Sequence, residues 1–171
     1  MAEEQYTDLA QAFAIRDSTQ AGKILDQAER RIANPDRVAR FRFVRRALSP
    51  IRAIRDSVFA SFQDSVIRRR SSWVTEANRA LHHPLRADQA EGYLRPSLDL
   101  LDEIKRTGDI FFPIGWLEST LGGHQSATAA DIVTRFLADR PDLAPRLKAK
   151  LLQTADGLFR AARVVGQDGP R

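Results

Sequence analysis

The chain has 171 residues, 43% of them hydrophobic and 29% charged, with 27 Lys plus Arg against 22 Asp plus Glu, a formal net charge of +5 and no cysteine. That length suits a single domain with a real core, and the composition is that of a folded globular protein, not of a disordered, collagen-like or membrane chain. The lack of cysteine excludes a disulfide scaffold, a thiolate zinc site, a CxxC redox centre and a cysteine nucleophile.

No stretch approaches the roughly 20 apolar residues that span a bilayer. The start, Met1-Ala2-Glu3-Glu4-Gln5, is acidic where a signal peptide is basic and then apolar. Neither a membrane span nor a signal peptide is expected, and nothing marks the compartment. Four of the cations are Lys and 23 are Arg, a bias that by itself points only weakly to a polyanion partner.

Apolar residues recur at spacings of three and four and the alternation of strands is missing, so the whole chain reads as helix. The first helix is expected over Glu3 to Ile15, with Tyr6, Leu9, Ala10 and Phe13 on one stripe. Ser18 or Thr19 should cap a second helix carrying Ile24, Leu25, Ala28 and Ile32. Asn34-Pro35-Asp36 is a strong start signal, because Asn caps, Pro lacks an N–H that would be unpaired anyway, and Asp suits the positive helix end. That helix runs to about Leu48, and Ser49-Pro50 repeats the device ahead of Ile51, Ile54, Val58, Phe59 and Phe62. After Arg68-Arg69-Arg70, expected to be a solvated loop, Ser71 or Ser72 opens a helix through Leu81 that His83-Pro84 ends.

Leu94, Leu98, Leu101 and Ile104 form the stripe of one further element, with Gly108 as a left-handed C-cap and Asp102 paired to Arg106 four residues on. Phe111-Phe112-Pro113 leads into a helix bearing Trp116, Leu117 and Leu121, closed by Gly122-Gly123. Ser126 caps the next, which Pro141 stops. The last helix runs from Leu143 or Pro145 to Val164. Trp73, Trp116, Phe41, Phe43, Phe59, Phe62, Phe111 and Phe112 fall at apolar positions and are expected in the core. Short helices joined by tight turns predict an all-α fold of stacked antiparallel helical hairpins, a HEAT- or armadillo-like α-solenoid. No literal period supports the repeats, and an irregular helical bundle stays open. One helical domain over residues 1–165 is expected, with a disordered tail over 166–171.

The residues limit the chemistry. A helical zinc protease needs H-E-x-x-H, whereas His82 is followed by His83, His83 by Pro84 and His124 by Gln125. His82-His83 read as a helix end and Gly122-Gly123-His124-Gln125 as a stop and turn. No serine sits in a G-x-S-x-G elbow, and the glycine pair lacks phosphate-loop spacing. Asp99, Asp102 and Glu103 read as solvated surface.

The segment from Asn34 to Arg55 is the most unusual, with Arg37, Arg40, Arg42, Arg45, Arg46, Arg52 and Arg55 against the single acid Asp36. Nucleic-acid binding would align these side chains in one stripe along phosphates. At 100° per residue they scatter instead: Arg42 and Arg46 share a face while Arg37 and Arg40 lie elsewhere. Such a helix is expected to bond its arginines to carboxylates or helix ends of its neighbours.

Several segments resemble a known family. His82-His83-Pro84-Leu85-Arg86, Tyr93-Leu94-Arg95-Pro96-Ser97-Leu98, Arg106-Thr107-Gly108-Asp109-Ile110-Phe111-Phe112-Pro113, Trp116-Leu117 and Gly123-His124-Gln125-Ser126 are similar to the C-terminal helical part of bacterial aminopeptidase N-type zinc metallopeptidases. So are Arg40-Phe41-Arg42-Phe43-Val44, Arg55-Asp56-Ser57 and Phe59-Ala60-Ser61, and the likeness spans about residues 34 to 163. These are not motifs that carry a mechanism. In that family zinc and the catalytic residues belong to a preceding thermolysin-like domain, whose H-E-x-x-H and G-x-M-E-N motifs are missing here, Met1 being the only methionine.

The resemblance therefore implies a non-catalytic superhelix, a piece of a larger peptidase, that packs on a catalytic domain and walls its peptide chamber. Zinc would belong to the parent enzyme, and the implied partners are that catalytic domain and the peptide substrate. Arg37, Arg40, Arg42 and Arg46 are the candidate contacts for substrate or partner; no catalytic or metal-ligating residue is assigned. The alternatives are a free-standing solenoid that binds a protein partner and, third, an Arg-rich nucleic-acid binder.

Overall fold

The computed structural model describes residues 3–167. The fold is all-α: among the described residues there are eleven α-helices, one short 3-10 turn and no strand. The chain divides into two compact units, Met1–Leu81 and His82–Arg171.

In the first unit, α1 (Glu3–Arg16) packs on α2 (Ala21–Glu29). The contact runs through Ala10 and Ala14 on one side and Ala21, Leu25 and Ala28 on the other, small side chains that let two helices approach closely. The expected stripe lies partly outward, with Leu9 54% and Phe13 48% exposed. Asp17, and not Ser18 or Thr19, organises the turn. Its carboxylate accepts from the Thr19 hydroxyl at 2.6 Å and from the N–H groups of Thr19 and Gln20 at 3.0 and 3.2 Å. An ionised carboxylate is the stronger acceptor for these donors, and they hold Asp17 below its ordinary pKa, the Thr19 hydroxyl most of all.

Helix α3 (Pro35–Ala47) starts as its sequence requires: the Asn34 side chain accepts from Asp36 N–H at 2.8 Å and Arg37 N–H at 3.2 Å. Helix α4 (Arg52–Ser61) departs from that device. Ser49 Oγ accepts from Ile51 N–H at 3.1 Å, and Ile51 itself occupies the cap without a side-chain bond. A further short helix, α5 (Ser65–Arg68), capped by Asp64, precedes Arg69 and Arg70 and takes in only the first residue of the stretch expected to be loop. Helix α3 then packs Phe41, Val44 and Ala47 against α6 (Ser71–Leu81), which buries Val74, Ala77 and Leu81.

Two arginines close helix ends in this unit. Arg55 is buried, and its guanidinium donates to the carbonyls of Ser49 and Pro50 at 2.8 and 2.9 Å, just beyond α3. Arg68, expected to be solvated, is 2% exposed and donates to the Phe62 carbonyl at the end of α4. The last carbonyls of a helix have no partner within it, and a guanidinium offers five donors in a fixed fork. Arg70 lies over the Trp73 ring, 4.6 Å from its centroid. So Arg69 and Arg70 are exposed as the solvated reading expects, and only Arg68 of the three departs from it.

The second unit opens with a 3-10 turn, Pro84–Arg86, followed by α7 (Ala87–Asp99), α8 (Leu101–Thr107), α9 (Phe112–Leu121), α10 (Ala127–Asp139) and α11 (Pro145–Gln167). The stripe expected in one element is split at Leu100 between α7 and α8, downstream of Pro96, which removes a ladder donor inside α7. Both pieces still bury it: Leu94, Leu98, Leu101 and Ile104 are all within 1% of full burial. Helix α10 packs on α7 and α11, and α11 also packs on α9, so Phe136 and Leu151 complete a core around Trp116 and Leu117.

Three expectations fail locally here. Gly108 is extended, φ −92° and ψ 173°, not left-handed; glycine is needed because a Cβ would sit 2.6 Å from Phe112 Cδ1 and 2.8 Å from the Ile104 carbonyl oxygen. Asp102 pairs with Arg140 from the end of α10 instead of Arg106. Phe111 is 72% exposed beside the equally exposed Ile110, because Asp109 accepts from the N–H groups of Phe111 and Phe112 and the tight turn sends only Phe112 inward. Helix α11 continues to Gln167, into the tail expected from 166, and residues 168–171 lie outside the described residues. No helix among the described residues is long and apolar enough to cross a membrane.

Candidate functional site

The four arginines singled out by sequence fall into two pairs on α3. Three residues apart, Arg37 and Arg40 face a cleft of about 190 Å³ that also holds Glu3, Glu4, Asp8 and Glu76. Arg37 bridges Glu3 and Glu4 at 3.0 and 2.6 Å, and Arg40 bonds Glu76 at 2.6 Å. Glu76 also accepts from the Gln11 amide at 3.2 Å, which ties α1 to α6. Arg42 and Arg46, four residues apart, lie beside a separate groove with Arg45. Two residues along a helix rotate by 200°, which is why Arg40 and Arg42 cannot share a face.

Glu29 anchors this second group. Its carboxylate accepts from Arg42 at 2.7 Å and from Arg45 at 2.6 Å, while Arg45 also reaches Asp26 at 2.7 Å. The Arg42 hydrogen bond, then that of Arg45, holds Glu29 below the usual carboxylate range against the opposing effect of burial. Thus α3 is fastened to α2 by charge as well as by packing, in the way the sequence suggests. Exposed pairs of this kind contribute only about 0–1 kcal/mol each. Arg46 differs from the other three: its guanidinium donates to the neutral Ser57 hydroxyl at 3.3 Å, and its charge meets no carboxylate among the described residues.

The second unit contains an arrangement that sequence alone does not suggest. His82 Nδ1 and His124 Nε2 lie 2.8 Å apart, 42 residues distant along the chain, with the rings tilted at 65°. Both side chains are buried, 1% and 3% exposed. Gly123 explains how the loop comes so close. A Cβ there would stand 1.7 Å from the His82 carbonyl oxygen, so only glycine fits. On the far side of the loop Ser126 caps α10, accepting from Ala129 N–H at 3.0 Å, and its hydroxyl also bonds the Glu91 carboxylate of α7. The edge of Tyr93 meets His82, ring centroids 6.0 Å apart. His83 turns away to its own bend, where Nδ1 accepts from Leu85 N–H at 3.2 Å.

Chemically this pair holds structure. The remaining ring atoms, His82 Nε2 and His124 Nδ1, are buried without a hydrogen-bond partner. Burial, reinforced by the neighbouring His124, pushes His82 well below the ordinary histidine pKa; burial also lowers His124, against the upward pull of Glu91 and Asp88. No group of three or more His, Asp or Glu that could hold a metal ion occurs among the described residues. Both motifs are conspicuous as sequence, His82-His83-Pro84 and Gly122-Gly123-His124-Gln125-Ser126, but nothing in their spacing announces that they meet. No family model, curated protein or solved structure matches the chain.

Proposed function

We propose that this chain is a non-catalytic helical wall of an aminopeptidase N-type zinc metallopeptidase, a HEAT-like element that packs on a separate catalytic domain and shapes the peptide chamber. The observation that carries this reading is where the resembling residues sit. Segments that look like the family's C-terminal part interlock as packing: Trp116 Nε1–H donates to the Ser97 carbonyl at 2.9 Å, His82 bonds His124, and Gly123 rests on the His82 carbonyl. Residues engaged in such contacts serve a shape, and the reactive groups and the zinc would belong to the partner domain. Arg46, whose charge meets no carboxylate among the described residues, is the candidate of the four best placed to meet a peptide carboxylate; Arg37, Arg40 and Arg42 already hold internal acids. The same engagement of three arginines weighs against phosphate tracking, which needs free cations in a row.

The test is association. A reading frame carrying H-E-x-x-H is expected upstream of this coding sequence, and its product is the catalytic domain to use. Sedimentation velocity of the two purified chains together should show a complex at micromolar concentration. Absence of such a frame, or two independently sedimenting species up to about 100 μM, a concentration at which even a weak transient pair is detectable, would sink the reading.

A further inference from the structure

We propose that the His82–His124 hydrogen bond is an acid-released latch that holds the loop between α9 and α10 closed at neutral pH. This inference stands on the geometry of the second unit alone and does not rest on the proposed function. The loop, residues 122–126, is fixed at three points: the ring pair itself, the close seat of Gly123 on the His82 carbonyl, and the Ser126 bond to Glu91. Of these, the ring pair is the one whose bonding depends on a proton in the range between neutral and mildly acid.

Counting protons shows why. Two neutral imidazoles 2.8 Å apart share one N–H, donated by either His82 Nδ1 or His124 Nε2. Whichever donates, the outer atoms His82 Nε2 and His124 Nδ1 are left as one N–H and one lone pair, both buried and unpartnered. One added proton turns the outer lone pair into a second orphaned N–H and places a positive charge where neither ring reaches water. A second added proton puts N–H against N–H across the same 2.8 Å, and the bond is lost. In the released loop each ring is hydrated and titrates near the ordinary value of about 6.5. Acid therefore favours release, since the open form binds the protons that the closed form refuses.

The charged groups that face the pair set how far this goes. Glu91 and Asp88 of α7 act on His124 and favour its protonation. Tyr93 presents a ring edge to His82 and supplies no compensating charge there. Protonation thus enters through His124 while His82 has no acid to offset it. The direction is fixed: both rings neutral and the latch whole above about pH 7, and the closed state losing ground progressively as pH falls below about 6.5.

Hydrogen exchange of the whole chain at pH 7.5 and 5.5, corrected for the intrinsic rate, reads this directly. The amides of Gly122 and His124, which donate to Glu118 and Leu121 at 3.0 Å, report the loop; those of Phe136 and Leu151 report the core. Opening of the loop should rise about 10-fold for each histidine between these pH values, hence about 100-fold for the pair, with core protection unchanged. The double variant His82→Asn, His124→Gln keeps an amide hydrogen bond between the same two positions without a titrating group, and its loop protection should be the same at both pH values. Equal loop protection of the natural chain at both pH values overturns the latch. So does loss of protection in loop and core together, or a pH dependence that persists in the double variant.

Discussion

Replacing Gly123 with alanine destabilises the second unit by about 3–5 kcal/mol, the range of the severest single substitutions. The added methyl carbon would stand 1.7 Å from the His82 carbonyl oxygen and 3.0 Å from its carbon, with the His83 carbonyl carbon at 3.3 Å. All three atoms are backbone, so no rotamer change relieves the clash, and the loop must move outward as a body. That movement separates His124 from His82 and leaves two imidazoles buried without their mutual bond. Gly157→Ala is the control of opposite sign: nothing lies within 4 Å of its Cβ position in the middle of α11, and alanine there should stabilise by about 0.5–1 kcal/mol. Urea unfolding followed by Trp116 fluorescence in a Trp73→Phe background reads the second unit alone, because each unit holds one of the two tryptophans. A Gly123→Ala loss below about 0.5 kcal/mol, the scatter of harmless surface changes, would show that the loop is not seated as described.

Trp116→Ala is expected to cost about as much, 3–5 kcal/mol, by leaving a large hole in the same core. The ring is fully buried, meets Phe112 edge-on with centroids 6.1 Å apart, and donates its Nε1–H to the Ser97 carbonyl at 2.9 Å. That bond joins α9 to α7 inside the unit, and removing the donor leaves a buried carbonyl without it. Trp116→Phe separates the two contributions: most of the apolar ring stays while the hydrogen bond goes, and the loss should fall to about 1–2 kcal/mol. Far-UV circular dichroism in urea measures both variants. Equal losses for Ala and Phe would mean that the hydrogen bond, and not the volume of the ring, holds α9 in place.

How much of this was legible in the amino-acid order depended on the range of the interaction. Signals confined to a few residues transferred well. Asn34-Pro35-Asp36 caps α3, Ser126 caps α10, and the stripe through Leu94, Leu98, Leu101 and Ile104 is buried. Each is settled by donors, acceptors and periodicity within one or two turns. Where two local acceptors competed, pattern reading chose the wrong one: Asp17 outbids Thr19 because a carboxylate accepts from three donors at once. Pairings across the chain were not readable. Asp102 had a local partner at Arg106 and takes Arg140 instead, and Arg68 looked solvated within a run of three arginines although the end of α4 needed a donor beside it.

The candidate residues show the same division. That the α3 arginines would scatter and bond to neighbouring carboxylates follows from 100° per residue and from the acids available, and Arg37, Arg40 and Arg42 do so. Which acids they reach required the fold. The histidine pair lay beyond pattern altogether, because a contact between residues 82 and 124 depends on how α7 and α9 pack, and Gly123 makes sense only once the His82 carbonyl is known to lie against it. The exposure of Phe111 has a local cause: Asp109 is a turn former that fixes the N–H groups of Phe111 and Phe112 and so orients the two rings oppositely.

On the proposed function, this chain contributes surface while the bond-breaking chemistry resides in a partner. Rates of hydrolysis of an aminoacyl chromogenic substrate and of a longer peptide, by the chain, by the H-E-x-x-H domain and by their mixture, test it most directly. The account predicts that the chain alone releases no product with or without added zinc, and that its addition changes the partner's rate on the longer peptide. Zinc-dependent turnover by the chain alone would contradict it.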